Sequence, residues 1–434
     1  MGKPGQIVLA VFIAAKFFLQ YFLIHPVYDL QRDEYLHLDQ ANHLDWGFLS
    51  VPPVTSWIAF LIKLLGNGVF WVKFFPALFG ALTIIVVWKT IETLGGNLFA
   101  AILGATGVLL SALLRLNTLF QPNSLEVLCW TSFYFVLVKY IATEKATWLY
   151  VGAIIFAIGF LNKYNFAFLA LGLTPAILLT EHRRLFTRKE LYLAVGLALV
   201  LISPNLAWQY THNFPVVHHM QELAQTQLVH VNRLDFLKSQ GLFFLGAIII
   251  LLSALYGLVA YPPFYKYRLF FWSLVFTLAF FMYFRAKDYY AIGIYPIYIA
   301  FGAVFLEKMT QKGQRKFLQP LLLAIPVLLF IPLYKIGFPN KSPETILQNP
   351  TPYQAMGLLR WEDGKDHALP QDFADMVGWK ELATLVDSIS LQLPNPENCF
   401  LLCDNYGEAG AINYYSTNKL IRAHSFNARS EEHT

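Results

Sequence analysis

Long apolar stretches separated by short polar intervals dominate the chain. They fall at about 6–25, 69–91, 97–114, 119–140, 147–161, 164–180, 191–209, 239–261, 269–284, 289–306 and 317–335. Each approaches the roughly 20 residues a helix needs to cross a hydrocarbon core, so the pattern predicts about eleven membrane-spanning helices. The fifth and sixth stretches are short and adjoin at Asn162-Lys163-Tyr164, where a re-entrant pair is the alternative. The stretch 53–65 is too short to span and is expected to lie along the surface.

The pattern changes near residue 337. Charges, prolines and glycines rise, and no further run reaches spanning length. Leu382, Leu385, Val386 and Ile389 recur at helical spacing between Trp379 and Leu391, which predicts an amphipathic helix. Phe400-Leu401-Leu402-Cys403 reads as a strand, Asp404-Asn405-Tyr406-Gly407 as a turn, and Glu408 to Tyr415 as a second helix. Strand, glycine-containing turn and helix describe a small α/β unit. The expected organisation is a polytopic α-helical membrane protein: a transmembrane domain over 1–336 and a C-terminal outer-face α/β domain over 337–434. The terminal Arg429-Ser430-Glu431-Glu432-His433-Thr434 matches the translation of a sequencing-library adapter. The expectation is therefore that the natural reading frame continues past about Asn427, and that the C-terminal domain is truncated here.

Composition agrees with the membrane reading. Of 434 residues, 56% are hydrophobic and 14% charged, against roughly 25% charged in ordinary soluble domains. The 38 Phe, 23 Tyr and 10 Trp suit a protein that packs rings against lipid and anchors others at headgroups. The net charge of +5 is modest, and its basic residues cluster between apolar runs rather than along one polar face, which argues against nucleic-acid binding. Cys129 lies inside an apolar run, and Cys399 and Cys403 are too far apart along one strand to pair. The apolar run near the N-terminus lacks a small-residue cleavage site and reads as an uncleaved signal anchor. The densest basic loops are Lys139 to Lys145, Arg183 to Lys189, Lys266 to Arg268 and Lys308 to Lys316. By the positive-inside bias these are cytoplasmic, as is the N-terminus. The loops 26–68 and 210–238 and the C-terminal hundred residues then face outward.

Everything chemically suggestive falls on that outer face. Asp33 and Glu34 stand side by side just beyond the first apolar run. Arg115 ends the third, Gln121-Pro122-Asn123 and Glu126 open the fourth, and Lys163 separates the fifth from the sixth. Arg285 and Lys287 precede the tenth. Cations at helix ends opposite the positive-inside loops run against the usual bias, and they suit a phosphate at headgroup depth. A nearby carboxylate suits removal of a hydroxyl proton or a divalent ion held against the phosphate. Plainer readings stand beside these. The lysines can snorkel from helix ends, and Glu126 can complement a helix dipole. His218 and His219 lack a third metal-ligand spacing and read better as loop surface or acceptor contact.

At these residues the chain resembles the C-type (GT-C) membrane glycosyltransferases, in particular the bacterial branch similar to protein O-mannosyltransferases and the aminoarabinose transferase of lipid A. The resemblance rests on Arg32-Asp33-Glu34-Tyr35, on His43-Leu44-Asp45-Trp46-Gly47-Phe48 with Pro52-Pro53, and on Asn123, Glu126 and Trp130. It continues through Gly159 to Tyr164, Pro204-Asn205 to Pro215, Lys287 to Pro296, Leu369 to Trp379 and Asn405 to Ala411. Each piece is weak alone; the ordered set covers nearly the whole chain. It implies transfer of a sugar from a polyprenyl-phosphate donor to an acceptor hydroxyl on a glycan, lipid or protein, with inversion, at the outer face of a bacterial inner membrane.

By the same resemblance Asp33 is the base or acceptor-positioning acid, with Glu34 beside it. Lys163 and Lys287 face the donor phosphate, joined by Arg115 and Arg285. Asp45, Asn123, Glu126, Tyr164, His218, His219 and Tyr289 complete the candidate substrate-binding set. Relatives often carry an acid two residues before the Pro-Pro pair, in some cases to bind metal; here that position is Ser50. No cofactor or metal is therefore expected, activity should survive chelation, and Asp45 is the nearest substitute ligand if a divalent ion takes part. The alternative function, a transporter or flippase of lipid-linked sugars, predicts internal repeats and polar sites near mid-bilayer. The chain shows no such repeat.

Overall fold

The structure, a computed structural model, describes residues 2–395, 398–418, 420 and 422–426. The adapter-like tail lies outside the described residues. Helices dominate: α1 (Lys3–Phe22), α2 (Arg32–Gln40), α3 (Val54–Leu64), α4 (Val69–Thr93), α5 (Leu98–Leu109), α6 (Ala112–Leu116), α7 (Pro122–Thr143) and α8 (Thr147–Asn162). Then come α9 (Ala167–Leu178), α10 (Lys189–Thr211), α11 (Pro215–Thr226), α12 (Arg233–Phe243), α13 (Ile248–Ala260), α14 (Arg268–Tyr283), α15 (Tyr295–Thr310) and α16 (Leu318–Gly337). The C-terminal part holds α17 (Pro343–Gln348), α18 (Thr351–Ala355), α19 (Gln371–Ala374), α20 (Trp379–Ser390), β1 (Leu401–Cys403), α21 (Tyr406–Tyr415) and β2 (Ala423–Ser425).

Among the described residues six helices are long and apolar enough to cross a membrane, or up to eight if each of two bent pairs is one span. The chain is a multi-pass helical membrane protein. Each of the eleven apolar stretches does contain a helix, but several helices are shorter than a bilayer. The stretch 97–114 breaks at Leu110, where ψ of 52° ends α5 and Ser111 caps the short α6. The stretch 239–261 bends by 72° between α12 and the segment that continues into α13. Between α8 and α9 a single extended residue, Lys163 (φ −159°, ψ 125°), and one 3₁₀ turn interrupt the run.

Helix α15 is the hub. The span it belongs to is 83% buried, whereas the spans of α1 and α16 are 17% and 6% buried and turn residues such as Ile7, Phe18, Leu321 and Leu328 outward to lipid. Close packing at the hub uses a small residue. A side chain at Gly302 would collide with the backbone carbonyl of Ile250 on α13, so glycine lets the two backbones touch. Helix α3 buries Thr55, Ser56, Ala59 and Ile62 and exposes Leu61 and Leu64.

The C-terminal elements pack against α2 and the segment before it. Helix α20, strand β1 and helix α21 lie where the periodicity places them, and β1 pairs in parallel with β2 in the register Leu401↔Ala423, Leu402↔His424 and Cys403↔Ser425. Helix α21 is the crossover between the two strands, as a parallel pair requires. The same region interleaves with the segment between α1 and α3. The amides of His25, Asp29 and Arg32 donate to the carbonyls of Pro339, Met376 and Asp375. One small core joins Tyr28 to Ile346, Tyr353, Leu359, Phe373 and Met376. A second joins Leu30, Tyr35, Leu38 and Ala41 to Ala411, with Trp379, Tyr414 and Tyr415 packed against it.

Candidate active site

The site starts at the N-terminus of α2. Gln31 is extended and accepts the Asp33 amide at 2.8 Å, while Glu34 accepts the Gln31 amide at 2.6 Å. This reciprocal cap fixes the first turn and satisfies two otherwise orphaned donors. The two adjacent acids then part company.

Glu34 is fully buried. Lys73 of α4 donates to both its oxygens at 2.6 and 2.8 Å, and the Phe120 amide adds 2.7 Å. The sequence pairs Glu34 with Asp33 as catalytic; the structure makes it a brace tying α2 to α4 and to the turn before α7. Its oxygens are engaged, and a buried carboxylate that loses its cation is costly, so it is not available to take a substrate proton.

Asp33 points the other way and leaves a third of its side chain exposed. One oxygen accepts the Tyr406 hydroxyl at 2.6 Å, with Arg32 Nε at 3.6 Å; the other accepts Gln121 Nε2 at 3.1 Å. Gln121 also donates to Gln31 at 3.0 Å and accepts from Asn123 at 3.0 Å. Asn123 in turn accepts the Lys163 ammonium at 2.6 Å, and Glu126 lies 3.2 Å from the same nitrogen. Asp33, Gln121, Asn123, Lys163 and Glu126 thus form one continuous polar row. The break between α8 and α9 lets Lys163 turn inward, beneath the rings of Tyr289 (4.9 Å) and Tyr290 (4.4 Å).

Further cations close the site. Lys287 meets Glu362 at 2.5 Å. Arg115 donates to Thr118 at 2.6 Å and reaches toward Asp372 at 3.9 Å, a weak pairing for a guanidinium. Asp375 faces Arg32 at 3.5 Å and accepts from Gln31 at 3.3 Å. Burial pushes its carboxyl up to about 7; Arg32 opposes this, while Asp33, Asp372 and Glu362 reinforce it. Burial, then the charge of Asp33, pushes the Tyr406 hydroxyl far above its ordinary value, so it stays protonated and donates.

Other sequence-nominated residues lie elsewhere. Arg285, in left-handed conformation at φ 51°, lines an open pocket with His230, Asn232 and Arg233, away from the polar row. Asp45 accepts its neighbour's amide, that of Trp46, at 2.6 Å, a local turn contact. Tyr164 is held between Asn205 and Gln209, at 3.0 and 2.9 Å, and ties the α8–α9 break to α10. His218 is exposed; His219 is half-buried, its pKa lowered by burial and by Lys287 against Glu222. Among the described residues no three His, Cys, Asp or Glu side chains are grouped to hold a metal ion. With Glu34 engaged by Lys73, the acidic pair does not fit a shared ion.

Lys73 and Glu362 join the site without having been singled out in the sequence, and Arg32, Gln121, Asp375 and Tyr406 join it from stretches that carried no assigned role for them. Lys73 carried a usable signal: a lysine inside an apolar span needs a buried partner.

Residues 50–208 match the family described as dolichyl-phosphate-mannose-protein mannosyltransferase. Over 210 residues the chain is 27% identical to the lipid A galacturonosyltransferase RgtD of Rhizobium johnstonii, covering 47% of this chain and 43% of RgtD. The matched stretch thus spans under half of that relative's length. The crystal structure of ArnT from Cupriavidus metallidurans bound to undecaprenyl phosphate superposes with a TM-score of 0.66 at 16% identity, over 96% of this chain and 87% of ArnT. The chain resembles the GT-C glycosyltransferases. The fold extends to the archaeal oligosaccharyltransferase AglB from Archaeoglobus fulgidus, in complex with an inhibitory peptide and a dolichol-phosphate. There the TM-score is 0.52 at 9% identity, over 97% of this chain and 65% of AglB. ArnT and AglB show a shared fold; the family model and RgtD add the likeness in sequence.

Proposed function

We propose that this protein transfers a sugar from a polyprenyl-phosphate carrier to an acceptor hydroxyl at the outer face of a bacterial inner membrane, with the N-terminus in the cytoplasm. The observation that carries this reading is the row from Asp33 to Lys163. It joins a partly exposed, hydrogen-bonded carboxylate and a cation in one network. In the proposed step the acceptor oxygen attacks the anomeric carbon as the bond from that carbon to the phosphate oxygen breaks. Asp33 takes the hydroxyl proton, and polyprenyl phosphate leaves with its new negative charge facing Lys163 and Lys287. Direct displacement in one step, with Asp33 acting as base rather than nucleophile, inverts the anomeric carbon. The lysine charges supply the electrostatic stabilisation that a metal ion supplies elsewhere. The polyprenyl phosphates named for ArnT and AglB support a lipid-linked donor, and the lipid A named for RgtD supports a lipid among the acceptor classes.

The test is an assay on purified protein, given the undecaprenyl-phosphate-linked sugars extracted from bacterial membranes together with an envelope-lipid fraction. Catalytic release of undecaprenyl phosphate, undiminished by EDTA, is expected. Movement of intact lipid-linked sugar across a vesicle membrane with no release would instead make the protein a flippase. Loss of release in EDTA with recovery on adding one divalent ion would overturn the metal-free step.

A further inference from the structure

Helix α21 reaches the candidate active site through Tyr406. Helix α21 opens with Asn405 as cap, which accepts the Glu408 amide at 3.0 Å, and so sets the direction of the first turn. Gly407 and Gly410 follow three residues apart, on one face of the helix. Both are needed for the approach to α2. A side chain at Gly407 would run into Arg32, and one at Gly410 would come within 2.8 Å of the Tyr35 carbonyl oxygen. With these glycines the helices touch, and Tyr406 arrives beneath the Arg32 guanidinium, 5.5 Å from its ring centre. Its hydroxyl lies 2.6 Å from Asp33. Tyr414 to the Asn67 carbonyl (2.6 Å), Tyr415 to Asp29 (2.5 Å) and Asn413 to Asp39 (3.1 Å) pin the rest of the helix to the same loop.

Resting on the transfer reading, we propose that Tyr406 is a positioning residue for the catalytic carboxylate: α21 completes the active site by holding Asp33 in the orientation that receives the acceptor proton. Arg32 and Gln121 restrain Asp33 from its own helix end and from the start of α7. Among the described residues Tyr406 gives it the shortest bond, 2.6 Å against 3.1 Å from Gln121, and bonds to an ionised acceptor are roughly twice as strong as neutral ones. Removing that hydroxyl frees the carboxylate to rotate, and misplacing a reacting group by about an ångström costs about a hundred-fold in rate.

The test compares Tyr406→Phe and Tyr415→Phe with the unaltered protein. The first measurement is infrared: the carboxylate stretching band of Asp33, assigned as the one lost in Asp33→Asn. The second is turnover of the extracted undecaprenyl-phosphate-linked sugars. Expected for Tyr406→Phe are a displaced Asp33 band and a fall in kcat of about 10- to 100-fold with an unchanged donor KM. Tyr415→Phe, which cuts the same interface away from Asp33, should change neither. An undisplaced band in Tyr406→Phe would overturn the proposal. So would equal losses of turnover and thermal stability in both variants, because that marks a purely structural contact. A displaced band in a protein whose unaltered form releases no polyprenyl phosphate would leave the positioning contact standing and overturn the transfer reading.

Discussion

Asp33 and Glu34 are neighbours in sequence with opposite physical fates. Asp33 keeps an open flank and takes directional bonds from Tyr406 and Gln121. Glu34 is sealed with Lys73, whose side chain is 13% exposed. Breaking a buried ion pair by removing one partner's charge typically costs about 3–5 kcal/mol. Glu34→Gln is therefore expected to lower thermal stability and folded yield strongly, while whatever folds retains a competent Asp33. Thermal unfolding of the purified variant beside its turnover per folded molecule checks this. Normal stability with abolished turnover would return Glu34 to the catalytic set. The sequence exposed the acidic pair but not the split, because the split depends on Lys73 arriving from 39 residues away.

At the scale of elements, the decisive joint is between the segment that carries α2 and the C-terminal segment. The apolar periodicity located α20, β1 and α21 well, since local spacing determines which face can be buried. It did not reveal that α21 packs on α2, because the Tyr406–Asp33 contact links positions 373 residues apart. A hint lay in the glycines at 407 and 410, which only a close backbone approach explains. Lys163 was legible as a polar interruption, yet its partners Asn123 and Glu126 follow from the turn between α8 and α9.

The same joint carries a pH dependence. Asp375 in the folded protein holds its proton up to about pH 7, chiefly through burial, whereas an unfolded Asp releases it near pH 3.9. The folded state therefore binds more protons in between, and its stability falls as pH rises from about 4 to about 7, then levels off. Asp375→Asn should flatten this part of the curve. Thermal unfolding from pH 5 to 8 measures it. An unchanged slope in the variant would place the titration elsewhere.

For the whole molecule, composition and the spacing of apolar runs disclosed a multi-pass helical protein, while the lengths of individual spans depended on local breaks such as Leu110 and Lys163. The gathering of function at one end follows from the same architecture. Spans bring Lys163, Asn123 and Glu126 together, and the segment carrying α2 and the C-terminal segment join them with Asp33 and Tyr406. On the proposed transfer reading, a donor whose lipid tail stays among the helices presents its phosphate to the lysines and its sugar to the carboxylate.

The most direct test of that arrangement is single-turnover release of undecaprenyl phosphate from bound lipid-linked sugar by Asp33→Asn, with acceptor in excess. The substitution keeps the shape of the side chain and removes the base. Donor binding close to that of the unaltered protein is expected, with the release rate lowered by about a hundred- to ten-thousand-fold. A folded Asp33→Asn protein that releases undecaprenyl phosphate at the unaltered rate would contradict the assignment of Asp33 as the base.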